Sequence, residues 1–315
     1  MPAEAIHISA YLDSVGPAAH GVPGRLRSFL ADPAKERAAR LGAVLVDLPY
    51  FNRFPLAVAR YFVNLPQAKS TWGAIFHRQA PALVGRSLLT LARDEGALRG
   101  SPEGELLLAL ALGYHSHVAL DTQVHPLVNA LARPRAAALG RPEMSEHHDV
   151  EKYQSIFFHE DRFGREFMGT SDLTRYISID SALLMRLAPL INRALRVSLA
   201  REPKRAEWRR WARGYGQYGW TLGSALGRAF APAEAKIEWR PRVYTAVDFP
   251  RHMEAATQRS RGYLDAAWSY VIGDADEAAL GQVVLEGCID DPPPENVLPL
   301  PDQPIATSPQ SGERH

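Results

Sequence analysis

The chain has 315 residues, of which 46% are hydrophobic and 23% charged, as in soluble globular proteins that bury a sizeable core. Lys and Arg number 36 against 35 for Asp and Glu, so the net charge of +1 excludes nucleic-acid binding through overall charge. Cys288 is the only cysteine, which excludes a disulfide within the chain and a cysteine-based zinc site.

Most of the chain is predicted to be helical, because apolar residues recur at spacings of three and four. The pattern covers 24–41, 54–63, 76–95, 102–124, 145–161, 180–200, 205–230 and 252–271. Ser101-Pro102-Glu103, followed by Glu105 and an apolar run, is typical of a helix start. The best candidate strands, TAVDF at 245–249 and VVLEG at 283–287, are short. The predicted fold class is therefore all-α.

Two stretches are expected to be irregular. Residues 131–144 contain two prolines and a glycine, which predicts a loop, and residues 290–315 are rich in proline and polar residues, which predicts a disordered tail. The sequence holds no apolar run of transmembrane length and no secretory signal at its start, so we expect a cytoplasmic protein without a transmembrane segment.

The segment GYHSHVALDTQVHP, residues 113–126, has the spacing of a metal site. On a helix, residues four apart lie on one face, so His117, Asp121 and His125 share a stripe. Imidazole and carboxylate groups on one stripe can converge on a cation. Pro126 is expected to stop or kink the helix.

Other candidate ligands lie in the same half of the chain, which holds nine of the eleven histidines. His147 and Glu151 in HHDVE repeat the four-residue spacing, and single candidates are His77 in FHRQAP, Asp47 in LVDLPYF and His7 in AIHISAY. One His–carboxylate pair would be an ordinary helix-surface interaction. Two such pairs with a further histidine in register favour a metal site.

These motifs resemble those of the zinc-dependent phospholipase C family, helical hydrolases related in fold to single-strand-specific zinc nucleases. The stretch ALGYHSHVALDTQVHPLVN is similar to the family's helix motif. The order of candidate ligands is also the family's: His7, Asp47, His77, His117, Asp121, His125, His147 and Glu151. The resemblance covers about residues 1–165. It implies a metal-binding region over 1–165, an additional helical region over 166–289 packed on it, and the tail at 290–315.

The resemblance also implies an activity: a multi-helix bundle that binds two or three Zn²⁺ ions and hydrolyses a phosphodiester or phospholipid substrate with a metal-activated water. One part of the cluster would be held by His117, Asp121, Asp47 and His77, and another by His125, His147 and Glu151. His7, and either Asp121 or Asp47, would bridge the two parts. Asp47 would double as the general base. No specific nucleic-acid partner is indicated.

Two alternatives remain open. His148-Asp149 spell the dipeptide of HD-type metal-dependent phosphohydrolases, although that interpretation leaves His117, Asp121 and His125 unexplained. The chain could instead be a non-catalytic, zinc-stabilised helical module, which would need only four protein ligands.

A last segment, WRRWARGYGQYGW at 208–220, combines arginines with aromatic residues. Such residues can stack on a lipid headgroup or a nucleic-acid base, but they more often pack two helices. Helix packing is the expectation here.

Overall fold

A computed structural model describes residues 3–16, 22–62, 70–78 and 81–284. Regular structure in these ranges is helical, without strands, which confirms the all-α class. The α-helices are α1 (Ala3–Val15), α2 (Gly24–Leu30), α3 (Pro33–Val44), α4 (Phe54–Phe62), α5 (Thr71–Arg78), α6 (Pro81–Asp94), α7 (Pro102–Leu139), α8 (Glu143–Phe163), α9 (Ser171–Ile177), α10 (Ser181–Leu199), α11 (Arg205–Gly223), α12 (Ala225–Ala229), α13 (Ala233–Arg240), α14 (Phe249–Ile272) and α15 (Glu277–Val283). Short 3₁₀ helices occupy Leu48–Phe51 and Ala97–Arg99, and a π-helical turn Pro241–Thr245.

The fold is built around α7, a helix of 38 residues and about 57 Å. Ser101 caps it as predicted, because its hydroxyl accepts a hydrogen bond from the Gly104 amide. Helices α3, α6, α8 and α14 pack around α7, and its residues are buried on all sides over most of its length. A helix surrounded in this way places its polar side chains inside the protein, where they need partners.

Two glycines let α3 and α7 touch backbone to backbone. A Cβ on Gly42 would lie 2.0 Å from the Leu110 carbonyl oxygen, and a Cβ on Gly113 would lie 1.8 Å from the Ala39 carbonyl oxygen. Any larger residue at either position would push the helices apart. This close crossing brings the end of α3 beside the polar stripe of α7.

Helix α1 was not among the predicted segments. Its residues Ala5, Ile8 and Tyr11 are fully buried, and the helix packs against α14, α3 and α7. Because neighbours cover it on several sides, its sequence lacks the single apolar stripe that marks an amphipathic helix.

The loop predicted over 131–144 is wrong. Helix α7 continues through Pro126 and Pro134 to Leu139, and only 140–142 separate it from α8. The expected stop at Pro126 is wrong for the same reason: Leu127, Val128 and Leu131 are buried, and their packing outweighs the lost backbone hydrogen bond.

Neither candidate strand forms among the described residues. TAVDF spans the end of the π-helical turn and the start of α14, and Val283 is the last residue of α15. Residues 285–287 of VVLEG and the tail predicted over 290–315 lie outside the described residues.

The residues after 165 pack on those before it, and one cluster of buried apolar side chains draws on both regions. The expected packing role of the 208–220 segment is correct for four of its five aromatic residues: Trp208, Trp211, Tyr215 and Tyr218 are buried. The Trp208 indole donates to Asn192 Oδ1 at 2.9 Å. Trp220 is 65% exposed. No helix within the described ranges has the length and apolarity needed to cross a lipid bilayer.

Candidate metal centre

The eight predicted ligand side chains converge in one place. Four helices and one turn carry them: His7 on α1, Asp47 in the turn after α3, His77 on α5, His117, Asp121 and His125 on α7, and His147 and Glu151 on α8. The four-residue spacings place the α7 and α8 residues on single stripes, as expected. Tertiary packing supplies the other three positions.

Asp121 lies at the centre of the group. Its Oδ2 is 3.0 Å from His117 Nε2 and its Oδ1 is 3.1 Å from His125 Nε2. On the other side, Oδ1 is 3.6 Å from His7 Nε2, and Oδ2 is 3.8 Å from His77 Nε2. The two oxygens therefore face different histidines, which is the arrangement of a carboxylate that can bridge two cations.

Asp47 faces Asp121 across the same space. Its Oδ1 is 3.1 Å from His77 Nε2, whereas its Oδ2 is 3.7 Å from His7 Nε2 and 4.0 Å from His117 Nδ1. Asp47 thus connects the histidines of α1, α5 and α7.

The third carboxylate, Glu151, organises the other end. Its Oε1 is 3.2 Å from His147 Nε2 and 3.8 Å from His125 Nε2, and the rings of His125 and His147 stack with centroids 5.2 Å apart. His125 therefore faces Asp121 and Glu151 together.

Three sets of side chains could each hold one ion, because their ligand atoms lie within 4.8 Å of one another: His7, Asp47 and His117; His77, His117 and Asp121; and His125, His147 and Glu151. Donor atoms at about 2.1 Å from a tetrahedral Zn²⁺ stand about 3.4 Å apart. The separations of 3.0 to 3.8 Å around Asp121 are close to that spacing.

Hydrogen bonds to carbonyl oxygens fix how three of the imidazoles point. His77 Nδ1 donates to the Gly73 carbonyl at 2.8 Å, His117 Nδ1 to the Ala43 carbonyl at 2.9 Å, and His147 Nδ1 to Asn129 Oδ1 at 2.9 Å. Since these oxygens only accept, each Nδ1 carries the hydrogen. Each ring therefore turns Nε2 toward a carboxylate.

A lone pair facing a carboxylate oxygen requires a cation between them. His117 shows this most clearly: its Nε2 is buried and 3.0 Å from Asp121 Oδ2, yet has no hydrogen-bond partner. The cation can be a proton, which converts the imidazole to imidazolium, or a metal ion. A donor set of imidazole and carboxylate without sulfur fits Zn²⁺ and similar divalent ions.

The pKa values of these side chains also indicate that the carboxylates are stabilised by neighbouring positive charge. Burial would raise the pKa of Asp121, but His117 and His125 outweigh it and hold that pKa well below its usual range. Burial would lower the pKa values of His117 and His125, yet Asp121 raises both to about 9. Burial beside His117 lowers the pKa of His7 to about 4, so His7 is neutral at pH 7.

Solvent reaches the carboxylates more than the histidine behind them. The side chains of Asp47, Asp121 and Glu151 are 12%, 14% and 16% exposed, whereas that of His117 is 0% exposed. The cluster therefore has a buried floor and an accessible side where a ligand can approach.

No model of a known protein family matches this chain, and neither a curated protein nor a solved structure matches it. The resemblance to zinc-dependent phospholipase C therefore rests on the sequence motifs.

The dipeptide of the HD-type alternative lies beside the cluster but in none of the three sets. Asp149 Oδ1 accepts from the buried Lys152 ammonium at 2.6 Å, and Asp149 Oδ2 is 3.6 Å from Arg141. Burial lowers the pKa of His148 to about 4. His115 is also outside the sets, buried with its Nδ1 donating to the Ala111 carbonyl.

Sequence reasoning missed two residues that contact the ligands. Asn129 orients His147 and lies four residues after His125, so the α7 stripe could have been extended by one step to find it. Tyr50, which is 44% exposed, packs its ring against His77 with centroids 5.4 Å apart. Nothing in its sequence context marks that contact.

Proposed function

We propose that the protein is a metal-dependent hydrolase of phosphodiester bonds, of the zinc-dependent phospholipase C type, with two or three Zn²⁺ ions per chain. The observation that carries the proposal is the position of Asp121, whose two oxygens face different histidines at 3.0 and 3.1 Å. A carboxylate shared in this way is what a cluster of ions requires and a single site does not.

The number of ligands favours catalysis over a purely structural role. A structural zinc site is closed by four protein ligands, whereas catalytic sites keep positions for water and substrate. Here eight side chains form three sets of three; His117 belongs to two of the sets, and the lone pair of its Nε2 can bind one ion at a time. Each set leaves at least one position for a non-protein ligand.

Such ions polarise a phosphoryl oxygen and lower the pKa of a coordinated water. The protein's own part is to hold the ions close together and to accept the proton of the attacking water. We assign that role to Oδ2 of Asp47, because its nearest imidazole nitrogen is 3.7 Å away, compared with 3.1 Å for Oδ1. The substrate would approach from the side on which the carboxylates are exposed.

The test is hydrolysis of a panel of small phosphodiesters by the purified protein, before and after chelation and with zinc added back. Asp121→Asn keeps the side-chain volume but removes the charge, so it should abolish hydrolysis and release at least one ion. Asp172→Asn is the matched control, because Asp172 pairs with the exposed Arg165 and belongs to none of the ligand sets. It should leave both readouts unchanged.

Asp149→Asn separates this proposal from the HD-type alternative. The substitution removes the carboxylate that accepts a hydrogen bond from the buried Lys152 ammonium, so we expect reduced stability with metal-dependent hydrolysis retained below the melting temperature. Loss of hydrolysis in Asp149→Asn, with hydrolysis intact in Asp121→Asn, would overturn the proposal in favour of the HD-type mechanism.

A further inference from the structure

Helix α11 presents a row of arginines on the face turned away from the core. Arg205, Arg209, Arg210 and Arg213 are exposed, and Trp220, near the C-terminal end of the helix, is 65% exposed. At about 100° per residue, these five positions fall within a sector of about 140°. We call this sector the arginine face.

The arginines of this face differ from those of the neighbouring helix. On α10, Arg186, Arg193 and Arg196 each lie within 2.7 Å of a glutamate oxygen. Within the described part of the chain, the four arginines of the arginine face have no carboxylate within 4.0 Å. Their charge is therefore not neutralised locally, although the whole chain carries only +1.

Packing does not account for these side chains either. The core-facing side of α11 is already occupied by Trp208, Trp211 and Tyr215, all buried. The arginine stems project from the opposite side. A concentration of unpaired cationic side chains on an exposed helix face is a binding surface for an anionic partner.

We propose that the arginine face docks the protein on an anionic lipid bilayer. Clusters of four or more basic residues on a helix bind acidic lipids, and exposed tryptophan prefers the boundary between headgroups and acyl chains. Single-stranded nucleic acid is instead held in grooves with several stacking aromatic residues. The arginine face is the convex side of a helix and offers one aromatic residue, Trp220, at its end. This docking does not depend on the proposed hydrolase activity.

The test is sedimentation of the full chain with vesicles of phosphatidylcholine, alone or with about 30% phosphatidylserine. The protein should bind only the anionic vesicles, and less at high ionic strength. Replacing Arg209, Arg210 and Arg213 by Gln should weaken binding about 100-fold, at about fivefold per basic residue. Trp220→Ala should cause a smaller loss.

The matched control replaces Arg133, Arg165 and Arg228 by Gln. These arginines lie outside α11 and are more than half exposed, but each pairs with a carboxylate: Glu143, Asp172 and Glu166. The control removes the same net charge and should keep vesicle binding. Circular dichroism and thermal unfolding of both triple variants establish that the fold is retained.

Three results would overturn the proposal: no binding to anionic vesicles, equal loss in both triple variants, or tighter binding of a single-stranded oligonucleotide through the same arginines. Vesicle binding without zinc or phosphodiester hydrolysis would support the docking surface and defeat only the proposed function.

Discussion

Replacing Gly113 by Ala tests whether the crossing of α3 and α7 builds the candidate metal centre. The added Cβ would lie 1.8 Å from the Ala39 carbonyl oxygen, so the helices must separate by about 1.6 Å to reach an ordinary contact of 3.4 Å. Both atoms belong to backbone or Cβ and cannot rotate away. Overpacking of this kind costs about 1–3 kcal/mol, and we expect the upper end because whole helices must move.

The same displacement reaches the ligands. The Ala43 carbonyl accepts the hydrogen bond that orients His117, at 2.9 Å, and Asp47 lies three residues after the end of α3. A separation of the size expected would break that bond and move Asp47 away from His77. Gly113→Ala should therefore weaken metal binding as well as stability, although Gly113 is not a ligand.

The assay is thermal unfolding together with competition for zinc by a chelator. A loss near 3 kcal/mol should lower the melting temperature by about 4–5 °C, because an unfolding entropy of about 2.1 cal/mol/K per residue is large in a chain of this size. Gly216→Ala is the control: a Cβ there meets nothing within 4 Å, so it should stabilise α11 by about 0.5–1 kcal/mol. Unchanged stability and zinc affinity in Gly113→Ala would refute the reasoning.

Three further predictions follow from individual side chains. Asn129→Ala frees the His147 ring to rotate and should lower zinc affinity about 10–100-fold in chelator competition; an unchanged affinity would contradict the orienting role. The pKa values of His117 and His125 are raised to about 9 without metal, so zinc binding at pH 7 should release about two protons. Calorimetry in buffers of different ionisation enthalpy measures this release, and a value near zero would contradict the prediction. Burial lowers the pKa of His159 to about 4, whereas the pKa in the unfolded chain is about 6.5. The unfolded chain therefore binds the proton first as the pH falls, and the free energy of unfolding should decrease by about 3 kcal/mol between pH 6.5 and pH 4. Urea unfolding of chelated His159→Gln should lack that part of the pH dependence, and an identical pH profile would refute the assignment.

The stripe on α7 could be predicted from sequence because it depends on helix geometry alone. His117, Asp121 and His125 share a face in any helix that contains them, and the same holds for His147 and Glu151 on α8. Their meeting with His7, Asp47 and His77 depends on how α1, α3 and α5 pack, which residue spacing does not encode. Only the resemblance to a known family placed those three in the same site.

The wrong secondary-structure predictions have a common physical cause, which is burial of the elements concerned. Proline and glycine over 131–144 predicted a loop, but packing of Leu131, Ala132 and Ala136 keeps α7 helical through Pro134. Helix α1 was missed because several neighbours bury it, so no one-sided apolar pattern remained. Local sequence signals are weakest where tertiary contacts surround an element.

The most direct test of the metal centre is the metal content of the purified protein, measured by elemental analysis under conditions that avoid chelators. The eight converging candidate ligands around Asp121 and Asp47 predict two or three zinc ions per folded chain, with at least one fewer in Asp121→Asn. A folded protein with metal content near zero, even after incubation with zinc, would contradict the account.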